Sequence, residues 1–282
     1  MKSLRRTVLE LLHIKRENFC ILFFTIFLIC ACQESPSSSL SKAKNKAESA
    51  NFKEAENDLE ILVKKFPDSR QSVDAAIEGA KLVRLETKNF QKGLFFLKHI
   101  VLYSKYLDER LTAQKQLVAI LYDELNDYKS AVSEINRLIV QLRNKSEIAD
   151  YKMKLAKSYF YLNDLDQAEH EVDEFLLSKD LDPKKKFELL TLKGNILLAS
   201  KDLPNASKVY QKVLKEFPEF SRAENVAVTL AVCYEEMKDF KSAIELLTSV
   251  RSEHPTPRYI DSKIEKLKER QKNAPGAKGM RK

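Results

Sequence analysis

"NFKEAENDLEILVKKFPDS", residues 51–69, and "DFKSAIELLTSVRSEHPTP", residues 239–257, share one frame: a polar residue, Phe, two residues, Ala, an apolar stripe and Pro. The core of that frame, a small residue three positions after an aromatic or Leu, recurs between them. It appears as Phe52/Ala55, Phe90/Gly93, Tyr128/Ala131, Leu165/Ala168, Leu203/Ala206 and Phe240/Ala243, with the small residues spaced 38, 38, 37, 38 and 37 apart. Self-similarity at a fixed period of this length marks an array of stacked supersecondary units rather than a single globular core.

Each period reads as helix, short turn, helix. "AQKQLVAILYDEL" (113–125) places Leu117, Val118, Ile120, Leu121 and Leu125 on a helical stripe, "NDYKS" breaks it, and "AVSEINRLIVQL" resumes with Ala131, Ile135, Leu138 and Leu142. Asn126 and Asp127 are turn and cap residues. "YKMKLAKSYFYL", "NDLDQ" and "AEHEVDEFLLS" repeat the pattern one period later. Pro67, Pro183, Pro218 and Pro255 close four repeats, since a fixed φ and a missing N–H stop a helix. Composition agrees with an all-α fold: 282 residues hold five Gly, eight Pro and no Trp, with 32% charged residues, too little turn material for many strands.

The repeat resembles the tetratricopeptide repeat, whose first helix carries Leu-(Gly/Ala)-x-x-Tyr and whose second opens with aromatic-x-x-Ala and ends before Pro. Repeat four matches with Leu155, Ala156, Tyr159, Leu165 and Ala168, and repeat six with Leu230, Ala231, Tyr234, Phe240, Ala243 and Pro255. Repeat three supplies Val118, Ala119, Tyr122, Tyr128 and Ala131; repeat five supplies Gly194, Leu197, Ala206, Tyr210 and Pro218. Repeat one keeps Phe52, Ala55 and Pro67 but has only "LSKAKNKAESA" as a first helix, and the first helix of repeat two fits the pattern poorly. No repeat has the family's opening Trp, and the period exceeds the usual 34. The resemblance implies a right-handed helix-turn-helix solenoid of about six repeats over residues 42–256. "PRYIDSKIEKLKERQK", residues 257–272, then reads as a capping helix and residues 273–282 as a basic disordered tail.

Residues 1–31 precede this fold as a signal peptide. Lys2, Arg5, Arg6, Lys15 and Arg16 make a basic start, and "FCILFFTIFLICA" (19–31) is a charge-free run too short for a membrane span and of secretory length. "LICAC" resembles the lipobox of bacterial lipoproteins, with Ile29, Ala31 and Cys32 in place. That resemblance implies acylation, palmitate included, of Cys32 as the new N-terminus, and Gln33 after it points toward an outer membrane facing the periplasm. Residues 32–41 read as the lipidated cysteine and a Ser-rich tether, about 16 Å in r.m.s. span as a Gly/Ser-like coil. Cleavage takes five basic and two acidic residues away and lowers the formal charge from +8 to +5, a mild basicity that does not suit nucleic acid. Of four cysteines only Cys32 and Cys233 survive it, so no intramolecular disulfide is expected.

No catalytic constellation is legible, and the chain is read as a non-enzyme with no cofactor and no metal. His13, His99, His170 and His254 are scattered, and no phosphate loop or metal-ligand spacing occurs. By repeat register, the groove-facing positions of the first helices are Gln116, Ile120 and Asp123 in repeat three, Met153, Lys157, Phe160 and Tyr161 in repeat four, and Thr191, Asn195 and Leu198 in repeat five. The expected role is a membrane-anchored scaffold of the cell envelope that binds an envelope protein or peptide segment. More loosely, the chain is similar to the tetratricopeptide lipoprotein of the outer-membrane β-barrel assembly machinery, which implies an assembly accessory. A structural link through the basic tail to anionic wall polymer or lipid is the other reading.

Overall fold

The computed structural model describes residues 35–178 and 181–274; the leader, Cys32 and the tail beyond Ala274 lie outside them. Fourteen α-helices and no strand occur among the described residues. The chain divides into two compact units, Met1–Ile120 and Leu121–Lys282.

The N-terminal unit contains α1 (Pro36–Glu48), α2 (Phe52–Lys65), α3 (Arg70–Leu82), α4 (Phe90–Tyr103) and α5 (Leu107–Ala119). In the C-terminal unit come α6 (Tyr128–Ile139), α7 (Lys145–Tyr161), α8 (Leu165–Leu176), α9 (Pro183–Ala199) and α10 (Leu203–Glu216), then α11 (Pro218–Ala223), α12 (Val226–Glu236), α13 (Phe240–Val250) and α14 (Pro257–Asn273). Within each unit, the long helices joined by short turns pack antiparallel on their neighbours, with α12 rather than the short α11 lying against α10.

The turn inside each repeat has one design. Ala50, Lys88, Asn126, Asn163, Lys201 and Lys238 all adopt positive φ, and each precedes the N-cap of the second helix: Asn51, Asn89, Asp127, Asp164, Asp202 and Asp239. Five of these caps accept a side-chain hydrogen bond from the backbone N–H three residues on, as Asp164 does from Gln167 and Asp239 from Ser242. In repeats one, four, five and six the cap's own N–H returns to the carbonyl five residues back, on Lys46, Tyr159, Leu197 and Tyr234, closing a Schellman-type stop.

Repeats two and three depart from this, for a countable reason. The buried small or branched residue of the first helix lies twelve positions before that of the second in Ala43/Ala55, Ala156/Ala168, Gly194/Ala206 and Ala231/Ala243, but thirteen in Ala80/Gly93 and Val118/Ala131. In those two repeats the first helix ends in a π-turn, Val83–Thr87 and Ile120–Glu124, the geometry that absorbs one extra residue. Asp127 N–H accordingly reaches back six residues, to Leu121. The same shift puts Val118 in the buried column and leaves Ala119 exposed, against the expected Ala119.

Other expectations need correction. Residues 36–41 are not tether: Ser35 caps α1 through the N–H of Ser38, and Pro36 sits at the first turn, where its missing N–H costs nothing. Pro183 and Pro218 likewise begin α9 and α11 rather than merely ending the helix before. The first helix of repeat six is split in two, because Asn225 adopts the left-handed conformation between α11 and α12.

Three apolar clusters fill the C-terminal unit. Met153, Ala156, Ala168, Val172 and Ile196 form one, and Phe187, Leu197, Tyr210, Val213 and Leu230 the next. In the last, Ala231, Phe240 and Leu247 meet Ile260, Ile264 and Leu267 of α14. Those three α14 residues, at helical spacing, bury about 1.5–3 kcal/mol each and leave the helix's basic face outward.

Candidate functional site

A groove of about 900 Å³ opens in the C-terminal unit between α7, α9 and α11. Five residues expected from repeat register line it: Lys157, Phe160 and Tyr161 from α7, and Thr191 and Asn195 from α9. Their convergence follows from the period, since Lys157 and Asn195 lie 38 residues apart and therefore hold the same place on neighbouring first helices.

The other expected positions fall elsewhere. Met153 is a correction: it is only 4% exposed and packs in the core beside Ala156 and Ile196. Leu198 is half-buried against the cluster around Tyr210. Asp123 is exposed and ion-paired with Lys154 at 2.7 Å, whose ammonium also lies 4.2 Å from the Tyr122 ring centre. Gln116 and Ile120 belong to the N-terminal unit, where Gln116 edges a depression with Ile77, Leu97 and Thr112, and Ile120 packs near Gly93.

Register alone misses the rest of the groove. Lys184, Phe187 and Glu188 lie one and two turns before Thr191 and line it from the same helix. From α11 come Phe220, Ala223 and Glu224, brought in by the break at Asn225, which no periodicity announces. Phe220 stands with its ring centre 5.4 Å from that of the buried Phe187. Tyr161 stacks on Tyr128 at 4.7 Å, yet remains 53% exposed.

The polar groups of the groove are notable for what they do not bond. Lys157, Lys184, Glu188 and Glu224 have no ion-pair partner among the described residues, whereas neighbours outside it do: Lys185 pairs with Asp150 at 2.7 Å and Lys193 with Asp173 at 2.5 Å. Asn195 accepts from the Tyr210 hydroxyl at 2.6 Å through its Oδ1. Thr191 Oγ1 is buried with no hydrogen-bond partner, although a helical Thr commonly bonds the carbonyl four residues back. Burial pushes the Tyr210 phenol up, so that hydroxyl stays a donor.

The reactive-looking groups are built for structure. Ser72 donates to a backbone carbonyl, of Pro67 or Ser69 at 2.8 Å each, and is left to accept from His99 Nε2 at 2.9 Å. Both side chains are sealed in the N-terminal unit, and burial holds the His99 imidazole below its ordinary pKa. Cys233 is buried, and desolvation pushes its thiol up to about 11. Among the described residues no three His, Cys, Asp or Glu come together as metal ligands.

Residues 197–263 match the tetratricopeptide repeat family model. The C-terminal part of a TPR repeat-containing protein from Cytophaga hutchinsonii aligns with a TM-score of 0.53 at 15% identity, over 88% of this chain and 95% of that one. The structure of Naa15/Naa10 bound to HypK-THB gives a TM-score of 0.55 at 15% identity, over 83% of this chain and 39% of that one. No curated protein matches the sequence. These likenesses establish the fold, an all-α array of tetratricopeptide-type helix pairs.

Proposed function

We propose that this chain is a scaffold of the bacterial cell envelope, anchored by a lipidated Cys32, that holds a partner protein through an extended segment laid in the groove between α7, α9 and α11. The observation that carries the binding role is the set of charged side chains there, Lys157, Lys184, Glu188 and Glu224, none of which has an ion-pair partner among the described residues. A peptide supplies both donors and acceptors along its backbone, and Tyr161 and Phe220 offer exposed aromatic surface of the kind that dominates binding energy. The lipobox resemblance supports the anchor.

A benzophenone amino acid at Tyr161 or Phe220 tests the groove. The expected result is the same discrete envelope protein crosslinked from both sites, lost on Thr191→Arg, with none from exposed Lys241 on α13. Equal crosslinking from all three positions contradicts the assignment. The anchor is tested separately by labelled palmitate, which the native chain incorporates and Cys32→Ser does not.

A further inference from the structure

We infer that one edge of the N-terminal unit, the turn from Leu102 to Leu107, rests in the headgroup layer of the membrane that holds Cys32. The inference rests on the lipidation proposed above and adds to it an orientation.

The argument begins with chain length. Because α1 starts at Pro36 with its cap at Ser35, only Gln33 and Glu34 separate the fold from Cys32. Three residue steps reach about 11 Å at full extension, so the start of α1 cannot stand far from an acylated Cys32.

Topology then decides which other residues share that edge. With alternating helix directions, the start of α1, the α2–α3 turn and the α4–α5 turn lie at one end of the unit, and the turns at Asn51 and Asn89 at the other. Lys44 and Glu78, each eight residues into α1 and α3, pair at 3.1 Å, so these helices start level. Arg70, opening α3, grips both oxygens of Glu109 at 2.8 Å and lies 5.1 Å from the Tyr106 ring centre, which sets the α4–α5 turn beside it.

That turn exposes apolar surface among the described residues. Leu102 is 73% exposed, Tyr106 61% and Leu107 46%, with Tyr103 beside them; at the opposite edge Leu85 alone among the described residues is comparable. Two Leu and two Tyr in six residues are the side-chain types that settle at a bilayer interface, the rings at headgroup depth. Lys98 and Lys105 have no ion pair among the described residues, and Asp68 and Asp108 offset their charge, so apolar contact rather than charge sets the docking. Acyl chains retain the protein, and this edge turns it.

The test uses the full-length lipidated protein in phosphatidylethanolamine–phosphatidylglycerol vesicles, with a nitroxide at Leu102→Cys, Leu107→Cys or Glu86→Cys at the opposite edge. The native Cys233 is buried and sets the background. Collision rates with oxygen and with a water-soluble nickel chelate report depth. Labels at 102 and 107 are expected to favour oxygen several-fold over the label at 86, unchanged in high salt. Equal ratios at all three positions on bound protein overturn the inference, and so does shielding at 102 and 107 from both reagents, which indicates protein cover. Mass spectrometry of the Cys32 peptide distinguishes failure of the anchor itself, which removes the premise.

Discussion

Gly194→Ala sets helix propensity against packing, and the two predict opposite signs. Gly194 lies inside α9, where alanine is favoured by up to about 1 kcal/mol. A Cβ there, however, meets the Tyr210 ring at 2.6 Å from Cε1 and 2.7 Å from Cζ. Ordinary carbon contacts begin near 3.5 Å, so the ring has to retreat by about 0.8 Å. It has nowhere to go: the side chain is fully buried, and its hydroxyl is tied to Asn195 at 2.6 Å. Overpacking of this kind costs about 1–3 kcal/mol, and loosening the hydrogen bond adds about 1 kcal/mol. Packing therefore wins, and a net loss of about 1–3 kcal/mol is expected, read as a lower urea midpoint at unchanged slope. Placed on Tyr210→Leu, which removes the atoms in conflict, the same Gly194→Ala should become neutral or stabilising. A raised midpoint in the native background, or an equal loss in both, refutes the reasoning.

Stability should fall as pH drops through about 6.5, because His99 is buried neutral while its unfolded counterpart takes up a proton. Burial is the larger cause, and the nearby Asp68 charge partly opposes it; chemical denaturation across this range should show a shallower slope for His99→Gln. Deleting Glu86 restores twelve-residue spacing in repeat two, so the π-turn should revert to an α-helical stop at a cost below about 1 kcal/mol. Deleting Leu162, in a repeat that already has twelve, should lower the urea midpoint much further. Cys233 should resist maleimide at pH 8 in the native protein and react on unfolding; equal labelling rates contradict its burial.

The helix pairs were legible because the crossing demands a small residue at one place. A side chain larger than Ala at Ala55, Ala131, Ala168 or Ala243 holds two helices apart, and that steric demand writes the period into the chain. Groove residues were legible only where they share that register, as Lys157 and Asn195 do. Met153 was misplaced because register names a turn of helix, while burial depends on how Ala168 and Ile196 close over it.

What the sequence by itself determined is the period, the helix pairs, the cap positions and the polarity of each face, all local consequences of side-chain size and spacing along one helix. Tertiary structure alone decided the π-turns that take up one residue in repeats two and three, and the break at Asn225 that carries Phe220 to Phe187. It also decided which charges are left without partners. These depend on where neighbouring helices stop and how closely they approach, and a distance between residues some thirty-five positions apart leaves no local pattern in the chain.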